Sequence, residues 1–264
     1  MRQGTRSIIP NLFTMMNLFS GFIAIKTAFI DQDYEKAGWF IVLGAIFDVL
    51  DGLMARLTKS SSDFGVELDS LADVVTFGVA PSAIVYQLYF HEIPTYGILI
   101  AALPAICGAL RLARFNSQLV GFDKEYFKGL PIPSGALLIV SFVTFHFLQP
   151  SFFVTQELRE AGIWIVTIGA PLMEVSTVRY EAMPKFSKQG VKDKPIVVGG
   201  IVVGLTISIL TKGVWIFPLF LLFVMFGVVR SIIERLRRVF KHRRAVSLFD
   251  EEELDREDEA AFGG

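Results

Sequence analysis

The chain has 264 residues, of which 53% are hydrophobic and 19% are charged, and its net charge is -1. A mean hydropathy of +0.54 is typical of proteins with several membrane-spanning helices and excludes an ordinary soluble domain. The single cysteine, Cys107, excludes an internal disulfide, and no run of basic residues carries a nucleic-acid-binding motif.

Apolar runs of membrane-spanning length recur along the chain and predict about eight transmembrane helices. We place them at residues 8–30, 37–57, 66–90, 95–115, 134–149, 161–177, 195–211 and 214–233. The predicted fold class is therefore all-α, a polytopic integral membrane helical bundle. We expect residues 1–235 to form one membrane-embedded domain. Residues 236–264 are a basic and then acidic tail, and its acidic end is expected to be disordered.

Lysine and arginine concentrate in the connections that eight spans would place on one side of the membrane. By the positive-inside rule that side is the cytoplasm. We therefore expect a multi-pass protein of the cell (plasma) membrane with both termini inside. A count of six or seven spans would break this charge pattern. The apolar run after Arg2 and Arg6 is longer than a signal-peptide core, so no cleavable signal peptide is expected.

The first span contains two polar side chains in an apolar run, Thr14 and Asn17, and Pro10 stands near its start. Proline suits a first helical turn because its missing N–H would be unpaired there in any case. The two polar residues could serve as hydrogen bonds between helices or belong to a functional site, and both interpretations stay open at this point.

Four aspartates interrupt the second and third spans: Asp48, Asp51, Asp69 and Asp73. The members of the first pair are three residues apart and those of the second pair are four apart, so each pair shares a helix face. The polar segment at residues 57–64 predicts the connection of a helical hairpin that brings the pairs together. Because an ionisable residue inside a membrane costs about 2.5–3.5 kcal/mol, these aspartates indicate a functional site. Carboxylates alone favour a hard divalent cation.

Two other interpretations of the aspartates are open. They could pair with Arg56 and Lys59, although two basic residues do not neutralise four buried acids. The cluster could also be the ion site of a cation-coupled transporter. Against transport, the chain has no internal repeat and no helices broken by Gly or Pro in paired positions.

The fourth span ends in GALRLARFN, with Arg111, Arg114 and Asn116 at its predicted cytoplasmic end. The two arginines are three apart and share a face, so they could bind a carboxylate or phosphate, or simply anchor the topology. A polar connection follows at residues 117–132. Near the inner end of the sixth span stands Glu174, for which we expect a structural partner such as Arg179.

The aspartate stretch resembles the complete signature of the CDP-alcohol phosphotransferases, Asp48-x2-Asp51-Gly52-x2-Ala55-Arg56-x8-Gly65-x3-Asp69-x3-Asp73. The resemblance implies two divalent metal ions, Mg2+ or Mn2+ with Ca2+ as a further candidate, on the four aspartates. It implies that Asp73 is the general base. It also implies that the CDP moiety is bound by Asn17, Gly52, Ala55, Arg56 and Gly65.

Three further elements are similar to the phosphatidylserine synthases of this family: P-N-x2-T-x2-N at 10–17, R-x2-R-F-N at 111–116 and G-L-P-x-P at 129–133. They imply transfer of the phosphatidyl group from CDP-diacylglycerol to the hydroxyl of L-serine, with CMP released. The implied acceptor-binding residues are Arg111, Arg114, Asn116 and Lys128. Glycerol 3-phosphate or an inositol phosphate stays open as the acceptor. Family members are commonly homodimers, so a homodimer in the lipid bilayer is expected, without nucleic acid.

Overall fold

The computed structural model of the chain describes residues 8–58, 60, 62–117, 126–148, 155–181, 206, 210, 211, 213–233 and 237. These residues are helical apart from short connections and one small β pair, so the predicted all-α class is confirmed. The seventh predicted span falls almost entirely outside the described residues, and the acidic tail falls wholly outside them. The predicted domain division stays a prediction.

The first two helices form a long hairpin. Helix α1 covers Ile8–Lys26 and continues as a π-helical turn, Thr27–Asp31, which Gln32 ends in a left-handed conformation. Helix α2 covers Tyr34–Thr58 and packs along α1. The buried residues of α1 recur every three or four positions: Pro10, Thr14, Asn17, Ser20, Gly21 and Ala24. Its other face is apolar and exposed, as a helix in contact with lipid requires.

The next helix is continuous but not uniform. Helix α3 (Asp63–Asp73) passes through a π-helical turn (Val74–Val79) into α4 (Ala80–Leu88). The Ser62 Oγ caps α3 by accepting a hydrogen bond from the Gly65 N–H at 3.1 Å. Pro81 lacks an N–H and its ring crowds the preceding turn, and the wider π-helical turn relieves this strain without ending the helix.

Thr76, in this π-helical turn, fixes the turn against α1 and α2. Its hydroxyl donates a hydrogen bond to the main-chain oxygen of Asn17 at 2.9 Å. A Cβ added at Gly21 would lie 2.7 Å from the Thr76 Cα, and one at Gly44 would lie 2.6 Å from its Cγ2. Both glycines are therefore required for the three backbones to approach this closely.

The remaining described helices complete the bundle: α5 Gly97–Ala101, α6 Leu103–Ser117, α7 Ile132–Phe142, α8 Gln156–Val175 and α9 Ile216–Ile233. Helix α6 packs between the π-helical turn after α3 and helix α8. Gly78 permits the first contact, since its added Cβ would lie 3.1 Å from the Ala105 Cα. Helix α6 thereby links the aspartate hairpin to α8.

One β pair joins two connections in which the sequence predicts no strand. Strand β1 (Tyr126–Lys128) pairs antiparallel with β2 (Arg179–Glu181). Tyr180 of β2 is buried, and its ring packs against Phe223 and Gly227 of α9. Three-residue strands give no clear alternating pattern, which explains why the sequence did not reveal them.

Four described helices are long and apolar enough to cross a membrane: Ile8–Asp31, Asp63–Leu88, Gly97–Ser117 and Ile216–Ile233. They correspond to the first, third, fourth and eighth predicted spans. Ile132–Phe147, at the fifth predicted span, is a shorter apolar helix. The second and sixth predicted spans are helices, α2 and α8, but do not belong to the set of four. The count of eight spans therefore stays a prediction.

Candidate functional site

Three of the four aspartates converge where α2 and α3 meet. Asp48 and Asp51 are on α2 and Asp69 is on α3, and each offers a carboxylate oxygen within 4.8 Å of the other two. Asp51 is buried, whereas Asp48 and Asp69 are half-buried. The helical hairpin predicted from the spacing thus brings carboxylates from both helices to one place.

Asp73 lies one turn beyond Asp69 and is buried. It does not belong to the triad of converging oxygens, yet it is within electrostatic range of the other three aspartates. The Asn17 Nδ2 donates a hydrogen bond to the Asp73 Oδ1 at 3.1 Å. The role predicted for Asn17 was in CDP binding, and the structure gives its amide a carboxylate partner.

Thr14 makes a matching contact with the first aspartate pair. Its hydroxyl donates to the Asp51 Oδ2 at 2.9 Å and also lies 3.2 Å from the Pro10 main-chain oxygen. A hydroxyl has a single proton, and the shorter, charge-assisted bond to the carboxylate is the stronger of the two. Helix α1 thus supplies a donor to one aspartate of each pair, so its polar residues both join helices and belong to the site.

The aspartates are not neutralised by the basic residues near them in sequence. Within the described part of the chain, none of the four forms an ion pair with a basic side chain, Arg56 included. Lys59 lies outside that part. The Asp69 Oδ1 is buried and has no hydrogen-bond partner among the described residues.

Repulsion within the triad demands compensation. Two full charges 4.8 Å apart repel by about 3 kcal/mol at an effective dielectric constant near 20. Divalent cations would remove this cost, and an all-oxygen donor set with an unpartnered buried oxygen fits hard ions such as Mg2+ or Mn2+. The structure therefore agrees with a metal centre on the aspartate hairpin.

Four of the residues predicted to hold CDP lie on α2 and α3 near the turn of the hairpin. Gly52, Ala55 and Arg56 follow Asp51 on α2. The Arg56 guanidinium lies over Gly52, where an added Cβ would be 3.6 Å from its Nη1. Gly65 is in the first turn of α3, and its N–H is already bonded to the Ser62 cap. Arg56 is exposed and places a cation at this end of α2.

The predicted acceptor residues differ in the contacts that the structure gives them. Arg114 donates to main-chain oxygens at the end of α8, with Nη1 2.9 Å from the Val175 oxygen and Nη2 3.2 Å from the Glu174 oxygen. This geometry caps the helix and satisfies carbonyls that have no partner within it. Asn116 donates to the Ser70 Oγ at 3.0 Å and so joins α6 to α3. The side chain of Lys128 lies outside the described part.

Arg111 is a predicted acceptor residue that lies within electrostatic range of an aspartate of the site. It is 8% exposed and within electrostatic range of both Asp73 and Glu174. Glu174 is itself only 1% exposed. The partner that the sequence suggests for this glutamate is Arg179, whose side chain lies outside the described part. The structure places Glu174 near Arg111 instead. The sequence gives no sign of this contact because it does not show that α6 and α8 pack together.

Replacing Thr14 with valine is expected to weaken activation by Mg2+ or Mn2+ by about 10- to 100-fold, because the Asp51 carboxylate loses the donor that orients it. Half-saturating metal concentrations, measured by turnover at fixed substrate, give this effect. Thr14→Ser keeps the hydroxyl and should behave like the parent chain. Equal metal requirements for the valine and serine variants would contradict a role for this hydrogen bond.

Comparison with known proteins bears on the chemistry of this site. The CDP-alcohol phosphatidyltransferase family matches residues 7–173. A CDP-diacylglycerol–serine O-phosphatidyltransferase of Helicobacter pylori is 42% identical over 185 residues, covering 69% of this chain and 73% of the relative. An enzyme of the same name from Methanocaldococcus jannaschii is 39% identical over 67% of this chain and 75% of its own.

A more distant relative differs in name. The archaetidylserine synthase of Methanothermobacter thermautotrophicus is 35% identical over 65% of this chain and 69% of its own. The family match contains the aspartate hairpin, the Thr14 and Asn17 donors and helices α6 to α8 almost to their end. The chain is thus an integral membrane protein that belongs to the CDP-alcohol phosphatidyltransferase family.

Proposed function

We propose that the protein transfers the phosphatidyl group of CDP-diacylglycerol to the hydroxyl of L-serine, giving phosphatidylserine and CMP. The observation that carries this proposal is the convergence of Asp48, Asp51 and Asp69 within 4.8 Å inside a family whose relatives bear that enzyme name. Phosphoryl-group transfer depends mainly on positioning and charge stabilisation, and a carboxylate cluster that holds divalent cations supplies both.

The proposed metal centre holds two ions, Mg2+ or Mn2+, with Asp73 as the fourth aspartate ligand. Bound ions would offset the negative charge of the pyrophosphate and of the departing CMP oxygen. Thr14 orients the Asp51 carboxylate through its hydrogen bond. Gly52 leaves the α2 backbone open to the nucleotide, and Arg56 at the exposed entrance attracts its phosphates.

Asp73 is the proposed general base. Its Oδ1 accepts the Asn17 hydrogen bond, which leaves Oδ2 to take the proton from the serine hydroxyl. The serine oxygen then forms a bond to the lipid-bearing phosphorus, and the bond from that phosphorus to the bridging oxygen breaks. CMP leaves with the electron pair of that bond. The buried position of Asp73 keeps water away from the reacting phosphorus.

Arg111 is the proposed ligand of the serine carboxylate, because it is a buried cation within electrostatic range of Asp73. Arg114 and Asn116 would hold α6 in place against α8 and α3 rather than touch the acceptor. The name archaetidylserine synthase differs from the name of the other two relatives in the lipid and agrees with it in serine, which favours serine over glycerol 3-phosphate or an inositol phosphate.

We further propose a homodimer in the plasma membrane with eight spans and both termini in the cytoplasm. This orientation follows from the distribution of lysine and arginine. It places the connection between α2 and α3, and therefore the entrance to the metal centre, on the cytoplasmic side. A water-soluble acceptor and a membrane-bound donor can meet at that level.

Release of CMP is the direct test. The purified chain, given CDP-diacylglycerol and Mn2+ or Mg2+, should release CMP with L-serine and form phosphatidylserine. Glycerol 3-phosphate and inositol phosphate should support less than about a hundredth of that rate, as expected where a site is built for one polar acceptor. CMP release with another alcohol alone would reassign the acceptor, and none with any alcohol would overturn the enzyme proposal.

A further inference from the structure

A buried carboxylate and a buried guanidinium lie within electrostatic range of each other where α6 packs against α8, outside the aspartate hairpin. They belong to Glu174, in the last turn of α8, and Arg111 on α6. Among the residues that the structure describes, neither the Glu174 Oε2 nor the Arg111 Nε has a hydrogen-bond partner. A buried polar atom without a partner costs about 1–3 kcal/mol, and more when charged, so the two side chains together indicate a missing ligand.

The backbone around Glu174 is shaped to hold its carboxylate. A Cβ at Gly135 of α7 would overlap the Glu174 Oε1, and one at Gly108 of α6 would lie 3.6 Å from its Oε2. Gly108 and Arg111 are three residues apart and share one side of α6. The Glu174 Oε2 therefore faces the side of α6 that carries the guanidinium.

Arg111 connects this carboxylate to the reacting centre, because it is within electrostatic range of both Glu174 and Asp73. The pair is neutral as a unit, with one positive and one negative group. A ligand that satisfies both groups must offer an anion to Arg111 and a cation to Glu174. An amino acid does so, because its α-carboxylate and its α-ammonium are attached to the same carbon.

We propose that Arg111 and Glu174 together form a zwitterion site, in which Glu174 accepts hydrogen bonds from the α-ammonium of the acceptor and Arg111 binds its α-carboxylate. This inference rests on the proposed function and specifies how that reaction selects serine. Glycerol 3-phosphate and an inositol phosphate have no ammonium, and their phosphates would be repelled by Glu174. Selection thus combines attraction of serine with rejection of phosphorylated alcohols.

Ile132 of α7 packs close to the glutamate. The Ile132 Cδ1 lies beside Gly108, against which the Glu174 Oε2 also packs. We expect rotation of this isoleucine to admit the ammonium. The hydroxyl of the bound acceptor would then be directed to Asp73, which is the second carboxylate near Arg111.

The test compares L-serine with L-glycerate, which has a hydroxyl in place of the ammonium. The full chain is assayed for CMP release, with the serine KM and the inhibition constant of glycerate against serine measured for each variant. Glu174→Gln should raise the serine KM at least about tenfold and change the glycerate constant less than about twofold, since one charge-assisted contact is lost. Arg111→Lys should weaken both ligands. The KM for CDP-diacylglycerol should stay within about twofold in both variants.

Glu160→Gln is the matched control, because it makes the same change at an exposed position of α8. Equal weakening of serine and glycerate by Glu174→Gln would overturn the proposal and leave Glu174 as a structural counter-charge. If that variant does not fold, Glu174→Asp takes its place, because it keeps the charge but withdraws it by one methylene. It must then alter the ratio of the serine KM to the glycerate inhibition constant; an unchanged ratio would overturn the proposal. No CMP release by the parent chain with serine would instead defeat the proposed function itself.

Discussion

Removal of divalent cations is expected to abolish activity, and Asp69→Asn is expected to lower turnover more than about 100-fold at any attainable metal concentration. The reason is that Asp69 is the single contribution of α3 to the converging triad, and its Oδ1 is buried without a partner among the described residues. Loss of an orienting contact alone costs about 10- to 100-fold, so loss of a ligand costs more. CMP release after treatment with EDTA, and after Mn2+ or Mg2+ is restored, measures the first effect.

Glu67→Gln is the control for Asp69→Asn, since it removes a carboxylate from an exposed position two residues away on the same helix. It should retain the activity of the parent chain. Full turnover after exhaustive removal of metal, or a normal metal response in Asp69→Asn, would contradict the assignment of these carboxylates to a metal centre.

Asp73→Asn is expected to lower turnover by about 100- to 10,000-fold while CDP-diacylglycerol still binds, because the substituted amide cannot take the serine proton. Turnover and affinity must be measured separately, for example by CMP release and by calorimetric titration with the nucleotide lipid. Asp63→Asn, an exposed change at the first residue of α3, is the control.

If Asp73→Asn lost its affinity for CDP-diacylglycerol together with its turnover, Asp73 would act chiefly in holding the metal and the lipid donor. The Asn17 contact refines this test. Asn17→Ala leaves the Asp73 carboxylate in place without its donor, so it should reduce turnover by a smaller factor than Asp73→Asn. The reverse order would argue that Asn17, and not Asp73, is the more direct participant.

The aspartate hairpin was predictable because its signal is local. Spacings of three and four put each pair on one face, and the polar segment at residues 57–64 marked the turn. The lengths of the apolar runs gave the first, third and fourth spans to within a few residues. These features depend on helical geometry and on the cost of charge in an apolar segment, both of which can be read from neighbouring residues.

The partners of the arginines were not predictable because they depend on packing between distant segments. Arg111 and Arg114 look equivalent in sequence, yet Arg111 is within electrostatic range of Asp73 and Arg114 caps α8 some 60 residues later. Glu174 acquires its environment from Gly108 and Gly135, on two other helices. A single sequence gives no measure of which helices approach closely enough for such contacts.

Thr76 also bears on how the protein can move. Because its backbone and side chain are enclosed by Gly21 and Gly44, α1, α2 and the helix that begins at Asp63 cannot slide past one another without collision. The wall of the site that carries the aspartates is therefore stiff. We therefore expect loading and discharge of a two-tailed lipid to move helices other than these three.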